Sequence, residues 1–345
     1  MNFFIKDKNT VDIKKWGDFV LTHPHGNIFQ TPEMFEVYSL SKKHEPILVC
    51  VEDSNNEIVG ILLTVILKEY SGIVGFFSSR SIIIGGPLIK DDNTDILDYI
   101  LQEYKKQIRN KIIYSQFRNL REWERDYISI FTKHGFIFES HLDIVHNLNQ
   151  TKSELWSNMK SSARNKVNKA ERCGLIYKDL DPKNFSDDSY SLLQETYMKA
   201  ELPLANKDFF TNAFRILGDS GFLKLFGAFK DKDLIAVRLE LIFKKGIYDW
   251  YAGSSINANI YNPNDFLTWS VLEWGCSSNY SMFDFGGAGK PNIHYGVRDY
   301  KLKFGGQLVN FGRFELVHKP VLYRLGLLGL FLFKCCYGIF KRNPK

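Results

Sequence analysis

Twice along this chain an apolar, β-branched run breaks on a short polar turn and returns as a second apolar run. The first spans Leu48 to Gly60 around Asp53-Ser54-Asn55-Asn56, and the second spans Leu225 to Ala236 around Lys230-Asp231-Lys232-Asp233. Each reads as an antiparallel hairpin, a pattern that hairpins in general share, so the likeness alone is a weak sign of a repeat. Chain length makes it constraining. At 345 residues, 44% of them hydrophobic, the chain exceeds the size at which a single core stops growing, and two lobes are expected.

The elements around the hairpins are of mixed type. A helix is expected over 11–21, with Ile13, Trp16, Phe19 and Val20 on one face. The first hairpin occupies 46–51 and 58–67, and a third strand is expected over 73–77. Ile96, Leu97, Ile100, Leu101 and Tyr104 stand at helical spacing within 94–109. A strand at 112–117, a helix at 122–134 ended by Gly135, and an extended stretch at 136–141 follow. Residues 151–173 read as one long basic helix bridging the lobes, opened by the capping box Thr151 to Glu154 and closed by Gly174. Beyond it come helices near 188–200 and 207–217, the second hairpin, a helix over 265–275, a short strand over 282–285, and a closing strand over 307–317. The expected domains are 1–150, 151–318 and a C-terminal helix in 319–345.

Composition excludes several classes of function. The formal charge of +6 is modest and spread along the chain, unlike that of a dedicated nucleic-acid binder. Five cysteines at 50, 173, 276, 335 and 336 form no C-x-x-C pair, and the eight histidines show no metal spacing, so neither zinc nor a disulfide framework is expected. The first residues turn charged before an apolar stretch of signal-peptide length builds up, which predicts a cytoplasmic setting. Asp284-Phe-Gly-Gly-Ala-Gly-Lys290 looks superficially like a phosphate loop, but Asp stands where the loop needs Gly, and Pro291 where it needs Ser or Thr. Kinase loops are missing too. What remains is a strand whose end carries a carboxylate and then bends on glycines, a setting in which a polar group faces a cleft.

A set of motifs in fixed order narrows the reading. Trp156 with Arg164-Asn-Lys-Val-Asn-Lys-Ala-Glu-Arg-Cys-Gly174 resembles a segment of the Fem-type aminoacyltransferases, which add amino acids to cell-wall precursors. Tyr248-Asp-Trp-Tyr-Ala-Gly-Ser-Ser255, Phe283-Asp-Phe-Gly-Gly287 and Tyr300-Lys-Leu-Lys-Phe-Gly305 follow in that family's order, the last with Tyr in place of its first Phe. The resemblance covers about residues 29–314 and implies an α/β (α+β) fold of two tandem GNAT-like lobes. Each lobe would be a mixed, mainly antiparallel sheet flanked by helices, without the coiled-coil arm of some members.

It further implies an acyltransferase that needs no tightly bound cofactor. The co-substrate would be aminoacyl-tRNA or acyl-CoA, and the acceptor an amine of a nucleotide- or lipid-linked envelope precursor such as a peptidoglycan peptide. Related GNAT proteins of surface-polysaccharide pathways share the motifs and are expected to use acyl-CoA, which keeps N-acylation of a surface sugar as an alternative. A catalytically inactive, membrane-docked assembly protein is the alternative of a different class.

By the resemblance, Lys301 lies near the donor's reacting end or phosphate, where an ammonium compensates negative charge. Tyr300 and Phe304 would flank it as a stacking platform, and Asp284 would accept or orient the amine proton. A carboxylate is a poor base unless it is buried, so a structural role for Asp284 stands beside that one. Arg164 and Lys166 either hold phosphates of a nucleotide-linked precursor or tRNA, or form a solvated helix face. Arg238, alternating with apolar residues on an expected central strand, calls for a carboxylate or ligand phosphate, with Asp249 and Tyr251 as candidate partners. In the tail, 321–340 is apolar but interrupted by Arg324 and Lys334, too short a run to span a bilayer. It suits either a helix lying in an anionic membrane surface or one packed on the second lobe.

Overall fold

The computed structural model describes residues 3–68, 79–326 and 329. It begins with strand β1 (Phe4–Lys6), helices α1 (Ile13–Thr22) and α2 (Pro32–Ser39), and strands β2 (His44–Glu52), β3 (Ile58–Leu67), β4 (Arg80–Ile84) and β5 (Leu88–Ile89). Helix α3 (Thr94–Ile108), strand β6 (Tyr114–Arg118), helix α4 (Arg125–Lys133) and strand β7 (Ile137–Glu139) follow. The chain continues through β8 (Leu142–Asn147), α5 (Lys152–Asn158), α6 (Ser161–Arg172), β9 (Leu175–Leu180), α7 (Asp187–Lys199) and α8 (Lys207–Ala213). Next come β10 (Leu223–Lys230), β11 (Asp233–Phe243), β12 (Gly246–Ser254), α9 (Pro263–Ser277), β13 (Met282–Gly289), α10 (Gly296–Lys301), β14 (Gln307–Val309) and β15 (Arg313–Val317). The strand expected at 73–77 lies outside the described residues, as does most of 321–340. Among the described residues no helix is long and apolar enough to cross a membrane.

Two compact units divide this chain. The first runs through Ser39 and from Lys43 to Glu139 and takes up the chain again at Gly312; the second is built on Ser140–Phe311. In the first, the sheet order is β1-β2-β3-β4-β6-β15-β7, with β5 on β3. One face of that sheet packs under α3, whose Ile96, Leu97, Ile100, Leu101 and Tyr104 are buried as their spacing predicts. Gly60 leaves room for this: a Cβ there would stand 2.7 Å from Ile100. Phe131 of α4 stacks on Phe314 at 3.9 Å, and Tyr104 places its hydroxyl 2.7 Å from both Ser81 and Ser115. The strand expected over 307–317 is two strands. Gly312, in the left-handed region at φ 68°, separates β14, which pairs with β8 in the second unit, from β15, which pairs with β6 and β7 in the first.

The second unit has sheet order β14-β8-β13-β12-β11-β10-β9. Helix α9 is buried nearly all round, in a core shared with Ala163, Val167 and Ala170 of α6. Helix α7 covers the opposite face so closely that a Cβ on Gly253 would meet the Leu192 backbone at 2.6 Å. The long helix expected over 151–173 is instead two, α5 and α6, both within this unit. Met159 and Lys160 are extended between them, at ψ 145° in each case. Two contacts hold the break: the Lys160 amide donates to the Lys303 carbonyl at 2.8 Å, and Arg164 Nη1 donates to the carbonyls of Met159 at 2.8 Å and Ser157 at 3.0 Å.

Both units are built on a parallel strand pair joined by a helix, β4-α3-β6 and β12-α9-β13. The pairing runs for five residues in the first unit, from Arg80 opposite Tyr114 to Ile84 opposite Arg118. It runs for three in the second, from Gly246 opposite Met282 to Tyr248 opposite Asp284, after which the strands part.

One turn shows how closely the second unit is fitted. Gly305 sits at φ 92°, and a Cβ there would stand 2.5 Å from the Asn158 carbonyl oxygen. Gly305→Ala is therefore expected to lower stability by about 1–3 kcal/mol, the cost of backbone strain at such a site. Urea denaturation checks this, with Gly174→Ala, where φ is also positive but nothing lies within 4 Å, as the milder control.

Candidate active site

Beyond Tyr248 and Asp284, where β12 and β13 separate, the backbone of each strand departs from regular geometry. On β12, Trp250 is an extra residue: Glu240 faces Asp249 and Leu239 faces Tyr251, so a bulge interrupts the register. Such an insertion switches the face to which later side chains point. Asp249 joins Arg238 and Glu240 on the α9 side, while Tyr251 turns to the other face and packs on Phe210 at 4.8 Å and Tyr197 at 5.6 Å. Of the two partners expected for Arg238, Asp249 is one and Tyr251 is not.

Arg238 and Glu240 are 3% and 0% exposed. Arg238 Nε donates to Glu240 Oε1 at 2.9 Å, and Nη1 donates to Thr268 Oγ1 of α9 at 2.6 Å. Its Nη2 stands 2.7 Å from Asp249 Oδ1, an ion pair without hydrogen-bond alignment. Burial alone would weaken the hold of Arg238 on its proton, but Asp249 and Glu240 outweigh that and raise its pKa. For Glu240 the balance goes the other way. Burial and then the Asp249 charge push its carboxyl well above the usual range, against the pull of Arg238, and its Oε2 has no hydrogen-bond partner.

Thr268 Oγ1 also lies 3.0 Å from the Tyr300 hydroxyl. This joins α10 to the Arg238 network. One residue on, Lys301 Nζ donates to the carbonyls of Phe285 and Gly287, the latter at 3.0 Å, both past the end of the β12 ladder. The ammonium thus occupies backbone acceptors that the parting strands release. Lys301 and Arg238 each stand 5.4 Å from the centre of the Phe285 ring. Burial pushes the Lys301 pKa down, opposed by the charges of Asp249, Asp284 and Asp143.

Asp284 is the last residue of β13 to pair with β12 and is 4% exposed. Its Oδ1 accepts from the Gly286 amide at 2.7 Å, which the left-handed conformation of Gly286, φ 69°, brings back toward it. Burial raises its pKa to about 6, against the Gly286 hydrogen bond and the Lys301 charge. A carboxyl that changes charge near pH 6 beside a buried ammonium is suited to proton transfer near neutrality.

The other residues picked out from the sequence stand apart from this cluster. Phe304 is fully buried against Tyr300 and Phe285, with no ring face open to a ligand. Of the expected stacking pair, Tyr300 serves through its hydroxyl instead. Arg164 donates to the carbonyls at the end of α5. Lys166 pairs with Asp265 at 3.4 Å, where burial raises the Asp265 pKa against the pull of Lys166. Glu240, Thr268 and Asp143 were not anticipated. Glu240 was within reach of the reasoning, since Arg238 and Glu240, two apart on one strand, share a face; Thr268 and Asp143 come from distant segments with no local signal.

Comparison with known proteins places this cluster in context. Residues 157–302 match the acetyltransferase (GNAT) domain family, a span that takes in Arg238, Glu240, Asp249, Thr268, Asp284 and Lys301. A search of curated protein sequences finds no match. Among solved structures, the chain is similar to FemX, at 16% identity and a TM-score of 0.71, covering 94% of this chain and 99% of that one. It is also similar to L-PGS from Bacillus licheniformis, at 14% identity and a TM-score of 0.56, with 91% and 95% covered. A tandem GNAT protein from the clavulanic acid biosynthesis pathway matches at 9% identity and a TM-score of 0.56, with 91% and 98% covered. The chain has the tandem GNAT fold, and its acetyltransferase domain makes it an acyltransferase.

The buried ion network can be tested alone. Arg238→Met leaves Glu240 and Asp249 without their cation and is expected to cost about 3–5 kcal/mol, as breaking a buried pair does. Arg238→Met combined with Glu240→Leu should recover part of that loss, measured by urea denaturation at pH 7.

Proposed function

From the acetyltransferase domain at 157–302, we propose that this protein transfers an acyl or aminoacyl group to an amine of a cell-envelope precursor, with Lys301 and Asp284 at the reacting centre. The observation that carries this reading is the parting of β12 and β13 with a buried ammonium and a carboxyl of raised pKa at the split. An acyl donor laid along the released strand edge would present its carbonyl beside Lys301. The acceptor nitrogen attacks that carbon and a C–N bond forms. Electrons move onto the carbonyl oxygen, where the Lys301 ammonium compensates the charge. Asp284 takes the proton that the nitrogen sheds. Collapse then breaks the bond to the leaving group, the sulfur of CoA or the ribose oxygen of tRNA, which takes the proton back from the Asp284 carboxyl and leaves as a thiol or a hydroxyl.

Aminoacyl transfer from tRNA to a nucleotide- or lipid-linked peptidoglycan precursor is the reading favoured by the ordered motifs and by the likeness to FemX over nearly the whole chain. Acyl-CoA is the donor in the alternative, N-acylation of a surface-polysaccharide sugar, which the acetyltransferase family match supports. In either case the enzyme would work on the cytoplasmic side.

Purified protein incubated with acetyl-CoA or charged tRNA, and with a muramyl-peptide nucleotide or an amino sugar nucleotide, separates these by mass spectrometry of the acceptor. Lys301→Ala, checked for native circular dichroism because it strips the Phe285 and Gly287 carbonyls of their donor, should lose turnover by about a hundredfold or more, the scale of one lost electrostatic stabiliser. Turnover equal in wild type and Lys301→Ala would remove Lys301 from the reacting centre, and no turnover by wild type with any pair would sink the catalytic reading in favour of an assembly protein.

The pH dependence follows from Asp284. Its folded pKa is raised to about 6, so it is protonated and inactive as a base below that value, and turnover should rise with pH through about 6. The same shift makes the folded state bind the proton more tightly than the unfolded one. Its stabilising contribution is therefore present below about pH 4 and lost as pH rises to about 6. Asp284→Asn should lower kcat by about a hundredfold and remove that fall in stability, read from melting curves between pH 4 and 7.

A further inference from the structure

A chain of hydrogen bonds crosses the first unit from its core to a cavity that the acyl-transfer reading does not use. Thr64 Oγ1 donates to the Ile82 carbonyl at 3.1 Å and lies 2.6 Å from Ser81 Oγ. The Tyr104 hydroxyl donates to Ser81 Oγ at 2.7 Å and lies 2.7 Å from Ser115 Oγ, which in turn lies 2.7 Å from His318 Nε2. Each hydroxyl has a single hydrogen to give. That of Thr64 goes to Ile82, so Ser81 donates to Thr64. That of Tyr104 goes to Ser81, so Ser115 donates to Tyr104. The last contact is then filled only by a hydrogen on His318 Nε2. The chain runs one way, from His318 inward, and fixes the imidazole tautomer.

Burial, then the charges of Lys105 and Lys319, push the His318 pKa down to about 4, so the ring is neutral at pH 7 and its Nδ1 is a hydrogen-bond acceptor. Among the described residues nothing donates to that atom. His318 lines a cavity of about 360 Å³ at the carboxyl end of α3, together with Lys105, Lys106, Arg109 and Lys319. Basic residues in the last turn of a helix offset its dipole, and two of these are engaged. Lys106 pairs with Glu103, and Lys105 Nζ donates to the His134 carbonyl at 2.9 Å, which leaves its charge in place. The other acidic residues of α3 are taken up or distant: Asp98 pairs with Lys133 and His134, and Asp95 stands in the first turn. Glu45 pairs with Lys111 and Lys68. Among the described residues the Arg109 guanidinium has no hydrogen bond or ion pair.

We propose that this cavity binds a phosphorylated polyol or sugar, with Arg109 and Lys105 on the phosphate and His318 Nδ1 accepting from a hydroxyl. The planar fork of Arg109 matches phosphate oxygens, and Lys105 adds a point charge. An ionised phosphate has no hydrogen for the Nδ1 lone pair, whereas a hydroxyl on the same ligand has one. The inward chain keeps the Nε2 hydrogen on Ser115, so that it is the lone pair the ligand meets. The cavity volume lies within the roughly 300–1,000 Å³ of small-molecule sites. All these residues belong to the first unit, and the site stands whether or not Lys301 has the role proposed above.

Titration calorimetry of the full chain at pH 7 tests this with glycerol 3-phosphate and with methyl phosphate, which lacks the hydroxyls. Wild type and Lys301→Ala should bind both, and glycerol 3-phosphate about fivefold more tightly, the scale of one net hydrogen bond. Arg109→Ala, an exposed position, should weaken both by about tenfold or more. His318→Gln, whose amide N–H can still reach Ser115, should keep methyl phosphate binding and lose the preference, with its melting temperature read as the check on folding. Nitrogen-15 spectra of wild type should show His318 with its hydrogen on Nε2. A hydrogen on Nδ1, no binding of either compound by wild type, equal affinity for the two, or unchanged binding in Arg109→Ala would each overturn the proposal, as would weaker binding in Lys301→Ala.

Discussion

Everything at the candidate active site depends on two parallel strands ceasing to pair. A buried sheet normally satisfies its backbone groups by running each strand beside the next. Here β12 and β13 share a ladder for three residue pairs and then diverge, which leaves strand edges in the interior of the unit. The protein answers with side chains. Lys301 donates to the carbonyls of Phe285 and Gly287, and the Gly286 amide donates to Asp284. The bulge at Trp250 turns Asp249 toward Arg238. Polar residues that would be costly in an ordinary core are thus the means by which the split is kept.

Those residues also explain each other's charge states. Arg238 and Lys301 face Asp143, Asp249, Glu240 and Asp284, so carboxyls outnumber cations, and burial makes full ionisation expensive. The cost falls unevenly. Glu240, fully buried between Asp249 and Arg238, gives up its charge most readily, while Asp284 titrates near pH 6 with a backbone amide and Lys301 supporting its anion. Arg238 stands between the two, 2.9 Å from Glu240 Oε1 and 2.7 Å from Asp249 Oδ1. Asp284 is then the carboxyl whose charge can change within the working range of an enzyme.

Much of this was legible in the sequence, and the misses share a cause. The hairpins and α3 with its apolar face follow from periodicity, because burial on one side imposes it, whereas α9, buried nearly all round, is announced by Asn262-Pro263-Asn264 at its head. The ordered motifs brought out Lys301, Asp284 and Asp249, and Arg238 followed from a charge alternating with apolar residues on an expected central strand. What went astray was decided by single backbone events that periodicity does not record. Two extended residues, Met159 and Lys160, cut a helical pattern in half; one left-handed glycine, Gly312, sends the chain from one sheet to another. One inserted residue, Trp250, reverses the face of Tyr251. Phe304 shares a motif with Tyr300 and Lys301, but its ring lies in the core against Phe285 and Tyr300.

The two units show what the same strand-helix-strand frame does under different side chains. In the first, β4 and β6 stay paired for five residues and offer no released strand edge between them. Their polar residues project from the sheet face instead, as Arg118 and Gln116 do. In the second, the ladder ends early and the polar residues stand in the gap. Under the proposed function the donor would lie along the strand edge that this parted pair releases, with its carbonyl beside fixed charge. Duplicated frames of this kind can therefore differ in what their interiors hold, with pairing length deciding whether polar side chains stand between the strands.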